Sequence, residues 1–177
     1  MHLLLDIAGS LAIRGAIVLV ILRLNVSLQQ TLTLKTATAN VREKIATLVS
    51  IIETDIRQAG YNVTGAAFVK ADTSEVIFLA DFKNNGAVDT VRYYLSNGNV
   101  YREESSLAKP TSIGIGLTQF RFDYYDITGA PAATLNDIRS VKLIVAMEEN
   151  YELKQISDGQ NYRPSAKSEH HFFPPNL

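Results

Sequence analysis

The hydrophobic pattern divides the chain into two unlike materials. Leu3 to Leu24 is an almost unbroken apolar run of 22 residues, and through residue 34 the only charged side chains are Asp6, Arg14 and Arg23. That length spans a bilayer as a helix at about 1.5 Å per residue. From Leu34 the texture changes without a Pro or Gly break. Leu34, Ala37, Val41, Ile45, Leu48, Ile52, Ile56 and Ala59 recur at steps of three and four, the helical period. Lys35, Arg42, Glu43, Lys44, Glu53, Asp55 and Arg57 fall between them and predict a polar face. Gly60 supplies a C-terminal stop. Leu3–Ala59 is thus expected as one helix, about 85 Å long, whose first half protrudes from whatever its second half packs on. Gly15 and the threonines at 31, 33, 36 and 38 weaken helix propensity, so local melting between Arg14 and Thr38 is open on the sequence.

From Tyr61 the period becomes two. Ser74–Phe82, Val88–Leu95 and Asn99–Glu104 read as an antiparallel meander, joined through Lys83-Asn84-Asn85-Gly86 and Asn97-Gly98. Thr118–Asp126 alternates Phe120, Phe122 and Tyr124 inward against Gln119, Arg121 and Asp123 outward. Ile138–Met147 predicts another strand and Tyr151–Ile156 a weaker one, whereas Ser157–Leu177 is polar and Pro-containing and is expected to be irregular. Laying the sheet across Val41–Ile56 buries both apolar faces, an α+β architecture. Three regions follow: an apolar transmembrane or assembly half (1–24), an amphipathic half (25–60) and an antiparallel β head with an irregular tail (61–177).

Composition narrows the chemistry. The 177 residues carry a formal charge of −1 and no cysteine, which removes the basic patch that nucleic acid requires and all thiol chemistry. Histidine occurs only at 2, 170 and 171, and no Gly-x-Ser-x-Gly elbow or phosphate-cradling loop is present. Glu169-His170-His171 is a weak metal motif. Asp81, Asn84, Asn85 and Asp89 depart from a calcium loop at Lys83 and Arg92. Neither catalysis nor a cofactor is expected. A secretory signal peptide is disfavoured, since no Lys or Arg precedes the apolar run and the nearest small-x-small site is Ala37-Thr38-Ala39. A plain single-pass anchor bearing a periplasmic binding domain stays open.

Three passages resemble the type IV pilin and pseudopilin superfamily, in particular the W-type minor pilins and J-type pseudopilins. The start, with Asp6 followed by Ser10-Leu11-Ala12-Ile13 and Ala16-Ile17-Val18-Leu19, is similar to the family's mature N-terminus. Asp55-Ile56-Arg57-Gln58-Ala59-Gly60-Tyr61 resembles the run that ends the long helix in W-type minor pilins. Tyr94 to Arg102 resembles their tyrosine, loop, Leu-x-Arg hairpin, and Pro175-Asn176-Leu177 is faintly like their ending. The family has glutamate where Asp6 stands; Asp6 falls at position five if His2 is the mature first residue. The resemblance implies a filament subunit, held in the bacterial inner membrane before assembly and then joined to copies of itself or other pilins in a periplasmic or extracellular filament. It assigns the assembly role to the N-terminal residue, Met1 or His2, and to Asp6, whose carboxylate would meet a neighbour's terminal amine. A carboxylate within an apolar bundle is costly unless paired. Arg14 supplies a second candidate partner, eight residues along the helix.

Overall fold

The computed structural model describes residues 2–150, 152–154 and 161–177. One helix, α1, runs unbroken from His2 to Ile56, about 83 Å at 1.5 Å per residue. The melting left open by the sequence does not occur. Thr31, Thr33 and Thr38 turn their hydroxyls back onto the carbonyls of Ser27, Gln29 and Leu34, a bonding mode that lets threonine sit in a helix. Past Ile56 the chain tightens through bonds from Gln58 N–H to Asp55 and Ala59 N–H to Ile56. Gly60 follows with φ of +82°, so the helix ends where a left-handed residue begins.

Among the described residues ten strands follow, most of them in two principal sheets. β1 (Phe68–Ala71), β2 (Glu75–Ala80), β3 (Asp89–Ser96), β4 (Asn99–Glu104) and β5 (Thr111–Ile115) form a five-stranded antiparallel meander in sequence order. β2, β3 and β4 coincide closely with the three expected strands, whereas β1 and β5 extend the sheet on either side. Gly116, at φ +78°, turns the chain into the second sheet. There β6 (Leu117–Tyr125) pairs with β7 (Ser140–Glu148), and β7 with β10 (Ser165–Phe172). A two-stranded ribbon of β8 (Leu153–Lys154) and β9 (Asn161–Tyr162) completes the strands. Parts of the expected strand 151–156 lie outside the described residues.

The expected irregular tail is corrected by β10, which runs in register with β7 for eight residues. Its inward positions are Ala166, Ser168, His170 and Phe172, and only the last is strongly apolar. The strand is therefore held by a buried partner and by α1 above it, which local hydrophobic alternation does not register.

The core lies between α1 and the sheets. Val41, Ile45, Leu48, Val49, Ile52 and Ile56 are buried against Phe78, Tyr93, Phe122, Val141, Leu143 and Phe172. Thus only the second half of the helix belongs to the head.

Candidate assembly surface

Among the described residues, the first half of α1 packs on nothing. Leu11 is 62% exposed, Leu19 63% and Leu28 65%, and Ile13, Ile17, Val18, Val20, Ile21, Leu22, Leu24 and Leu32 are likewise exposed. A stretch of the helix beyond Gly9 has a mean hydropathy of 1.9 and no burial, so it is apolar enough to cross a membrane by length and composition. Apolar residues all round a helix call for an apolar surrounding, either lipid or other helices. No single patch of ordinary surface explains so continuous a run.

Met1 lies outside the described residues, as do the side chains of His2 and Asp6. Arg14 is exposed within the apolar half and has no ion-pair partner among the described residues. Asp6 and Arg14 stand eight residues apart on one unbroken helix, about 12 Å along its axis. The fold therefore does not bring them together within one chain.

The protruding half is aimed by the way the second half is fixed, and that fixing depends on residues whose role the sequence did not reveal. Asp55, expected on the polar face, is only 9% exposed. It follows Ile52 by three positions and so shares the buried stripe of α1. Its carboxylate accepts hydrogen bonds from the Tyr93 hydroxyl at 2.5 Å and from Arg102 Nε at 2.6 Å. Arg102 also donates from Nη1 to Glu104 at 2.7 Å. Burial together with the adjacent Asp55 charge raises the Tyr93 phenol far above its ordinary range, so it stays a donor. Burial opposes the Arg102 charge, but its bonds to Asp55 and Glu104 outweigh this and raise its pKa. The polar cluster is satisfied on every side, as a buried ion pair requires. The available signal was the arginine after the Asn97-Gly98 turn: a lone cation on an inward-facing strand position needs an acid, and Asp55 is on the facing helix.

The end of the helix is also closed by the C-terminus. A Cβ on Gly60 would lie 2.6 Å from the Asn176 carbonyl oxygen, and the Asn176 amide donates to the Arg57 carbonyl. Leu177 packs against the core. Higher on the helix, Lys44 pairs with Glu149, the residue just past β7.

The side chains of the two weak metal motifs are engaged in holding the fold. Asp81 accepts bonds from the backbone of Asn85 and Gly86 and from the Asn62 amide, closing the loop after β2. Glu169 pairs with Lys142 and Lys167, while His170, its neighbour along the strand, bonds Ser168. Among the described residues no three His, Asp or Glu side chains gather to hold a metal.

No family model matches the sequence, and no curated protein matches it. Among solved structures, a type IV-like pilin from Thermus thermophilus matches with a TM-score of 0.54 at 14% identity, over 77% of this chain and 97% of that one. The chain has a type IV pilin-like fold.

Proposed function

We propose that this protein is a structural subunit of a type IV pilus-like filament, polymerising through the apolar half of α1 after a membrane-held stage. The observation that carries the reading is the bare helix half: its described apolar side chains are exposed and none is buried against the head. Burying about 1,000 Å² of it among neighbours gives an upper bound of about 25 kcal/mol relative to water. Lipid offers nearly the same environment, so most of that cancels on leaving a membrane. Specific pairing must then favour the filament.

Asp6 and Arg14 supply that pairing in this reading. Asp6 meets the N-terminal amine of a neighbour, Met1 or His2, or the Arg14 side chain of a copy displaced by about 12 Å along the helix. A plain membrane anchor has no use for either charge. A surface pilus and a short secretion-type filament both fit, and their retention in the envelope distinguishes them.

The test is electron microscopy of sheared and envelope-retained filaments from cells making the wild type, Asp6→Arg, Arg14→Asp and the double exchange. Filaments are expected from the wild type, with each single change assembling poorly and the double better than either. Replacement of both charges by leucine without effect on the protein's work would instead support the non-polymerising anchor.

A further inference from the structure

The second, amphipathic half of α1 carries a pair of charges that the head leaves unused. Lys35 and Glu43 are both exposed, and neither has an ion-pair partner among the described residues. Lys44 and Glu53 on the same helix are engaged, with Glu149 and Arg57, whereas Arg42 is exposed like Lys35 and Glu43. Lys35 and Glu43 are eight residues apart, as are Asp6 and Arg14, and the order of signs is reversed.

We infer that copies of this chain pack α1 against α1 in parallel with a stagger of eight residues, locked by two charge pairs, Asp6 with Arg14 and Lys35 with Glu43 of the next copy. This rests on the filament reading and fixes its register. Eight residues correspond to about 12 Å of rise and an offset of about 80° around the helix. Asp6 and Lys35 are 29 residues apart, as are Arg14 and Glu43, which is eight turns plus about 20°. The first two therefore share one face of the helix and the second two another, and a single neighbour satisfies both pairs at once. Between them Leu24 comes level with Leu32 of the next copy.

Several nearby registers are penalised by the same charges, and the opposite pairs that a shift of eleven would set level, Arg42 with Glu53 and Lys44 with Asp55, call on Lys44, Glu53 and Asp55, which are already paired within the head. Without stagger every charge meets itself. A shift of seven sets Lys35 against Arg42. A shift of nine sets Arg14 against Arg23 and Lys35 against Lys44, and a shift of ten sets Glu43 against Glu53. At eight no like charges on α1 coincide. Specificity arises as much from these repulsions as from the attractions. Because the two faces differ, the contact is head-to-tail and propagates instead of closing as a dimer.

The absence of cysteine gives a clean test in the full-length, membrane-expressed protein. Leu24→Cys with Leu32→Cys places thiols about 12 Å apart along one helix, beyond disulfide reach within a chain. Oxidation is expected to give a ladder of cross-linked oligomers, and Leu24→Cys alone is expected to give none. In parallel, Lys35→Glu or Glu43→Lys is expected to raise the concentration needed for assembly about tenfold, and the double exchange to restore it. A dimer from Leu24→Cys alone, or filaments indifferent to all three charge changes, overturns the register while leaving the filament reading intact. Failure of the unmodified protein to oligomerise at all overturns both.

Discussion

Asp55 on the last turn of α1 and Arg102 on β4 form a buried ion pair, Nε to Oδ2 at 2.6 Å, that ties the helix to the five-stranded sheet. Their side chains are 13% and 16% exposed, so the charges are largely out of water, and Tyr93 and Glu104 complete their hydrogen bonding. The pair lies at the opposite end of the helix from the bare apolar half. The angle at which that half leaves the head is thus set by packing along Val41–Ile56 and by a polar clamp at its base.

Removal of one partner leaves the other charge buried and unpaired. Arg102→Met is expected to destabilise the protein by about 3 kcal/mol, whereas Asp55→Leu combined with Arg102→Met is expected to recover most of that loss. Thermal or urea unfolding of the full chain in detergent measures both. A double variant no better than the single would mean that the pair acts through shape and not through charge.

At Gly60 two separate demands coincide. The backbone is left-handed at φ +82°, and the Asn176 carbonyl stands 2.6 Å from where a Cβ would be. Gly60→Ala is expected to cost more than about 2 kcal/mol, from strain plus displacement of the C-terminus. Gly129 has nearly the same φ, +81°, with open space around it. Gly129→Ala should therefore lose only the conformational part, about 1 kcal/mol. Equal losses in unfolding experiments would show that the C-terminal contact contributes nothing.

The elements most legible in the sequence were those whose burial writes a local period. The stripe Val41, Ile45, Leu48, Ile52 and Ile56 announced the packed half of α1, and the Asn-Gly turn at 97–98 fixed the β3–β4 hairpin. The Asp55–Arg102 pair was not legible, because a charge on a helix is indistinguishable from a polar-face residue until its tertiary partner is known. β10 was hidden for the converse reason. Its inward residues Ala166, Ser168 and His170 carry little hydrophobic signal, and β7 and α1 hold it in place. Asp6 and Arg14 were conspicuous as charges in an apolar run, but Arg14 has no ion-pair partner among the described residues.

β10 yields a prediction of its own. Phe172 is 1% exposed and sits in the central core although its strand looks polar. Phe172→Ala is expected to destabilise by about 3–5 kcal/mol, whereas Phe173→Ala, next in sequence and 62% exposed, should be nearly neutral. Unfolding midpoints of the two variants, measured side by side, check the assignment of faces. Similar losses would contradict the register of β10 on β7.

Acid should weaken the head through carboxylates held in their charged form, two glutamates among them. Glu75 is held below the ordinary glutamate value of 4.5 first by its hydrogen bond from Lys70, with Arg92 assisting against the opposing effect of burial. Glu104 is held below it by the Ser106 hydroxyl and then, against burial, by Arg102. A carboxylate with a depressed pKa in the folded state binds its proton more readily when unfolded. The stability each contributes is therefore present above pH 4.5 and is lost as pH falls through the folded-state value. Urea midpoints followed from neutral pH down to about 3 are expected to fall most steeply below the ordinary glutamate range. Glu75→Gln with Glu104→Gln should lower the midpoint at neutral pH and reduce that fall in part, since Asp81, Asp126 and Glu169 are also held below their ordinary values and still titrate. A variant that kept the full acid slope would assign the loss to other carboxylates.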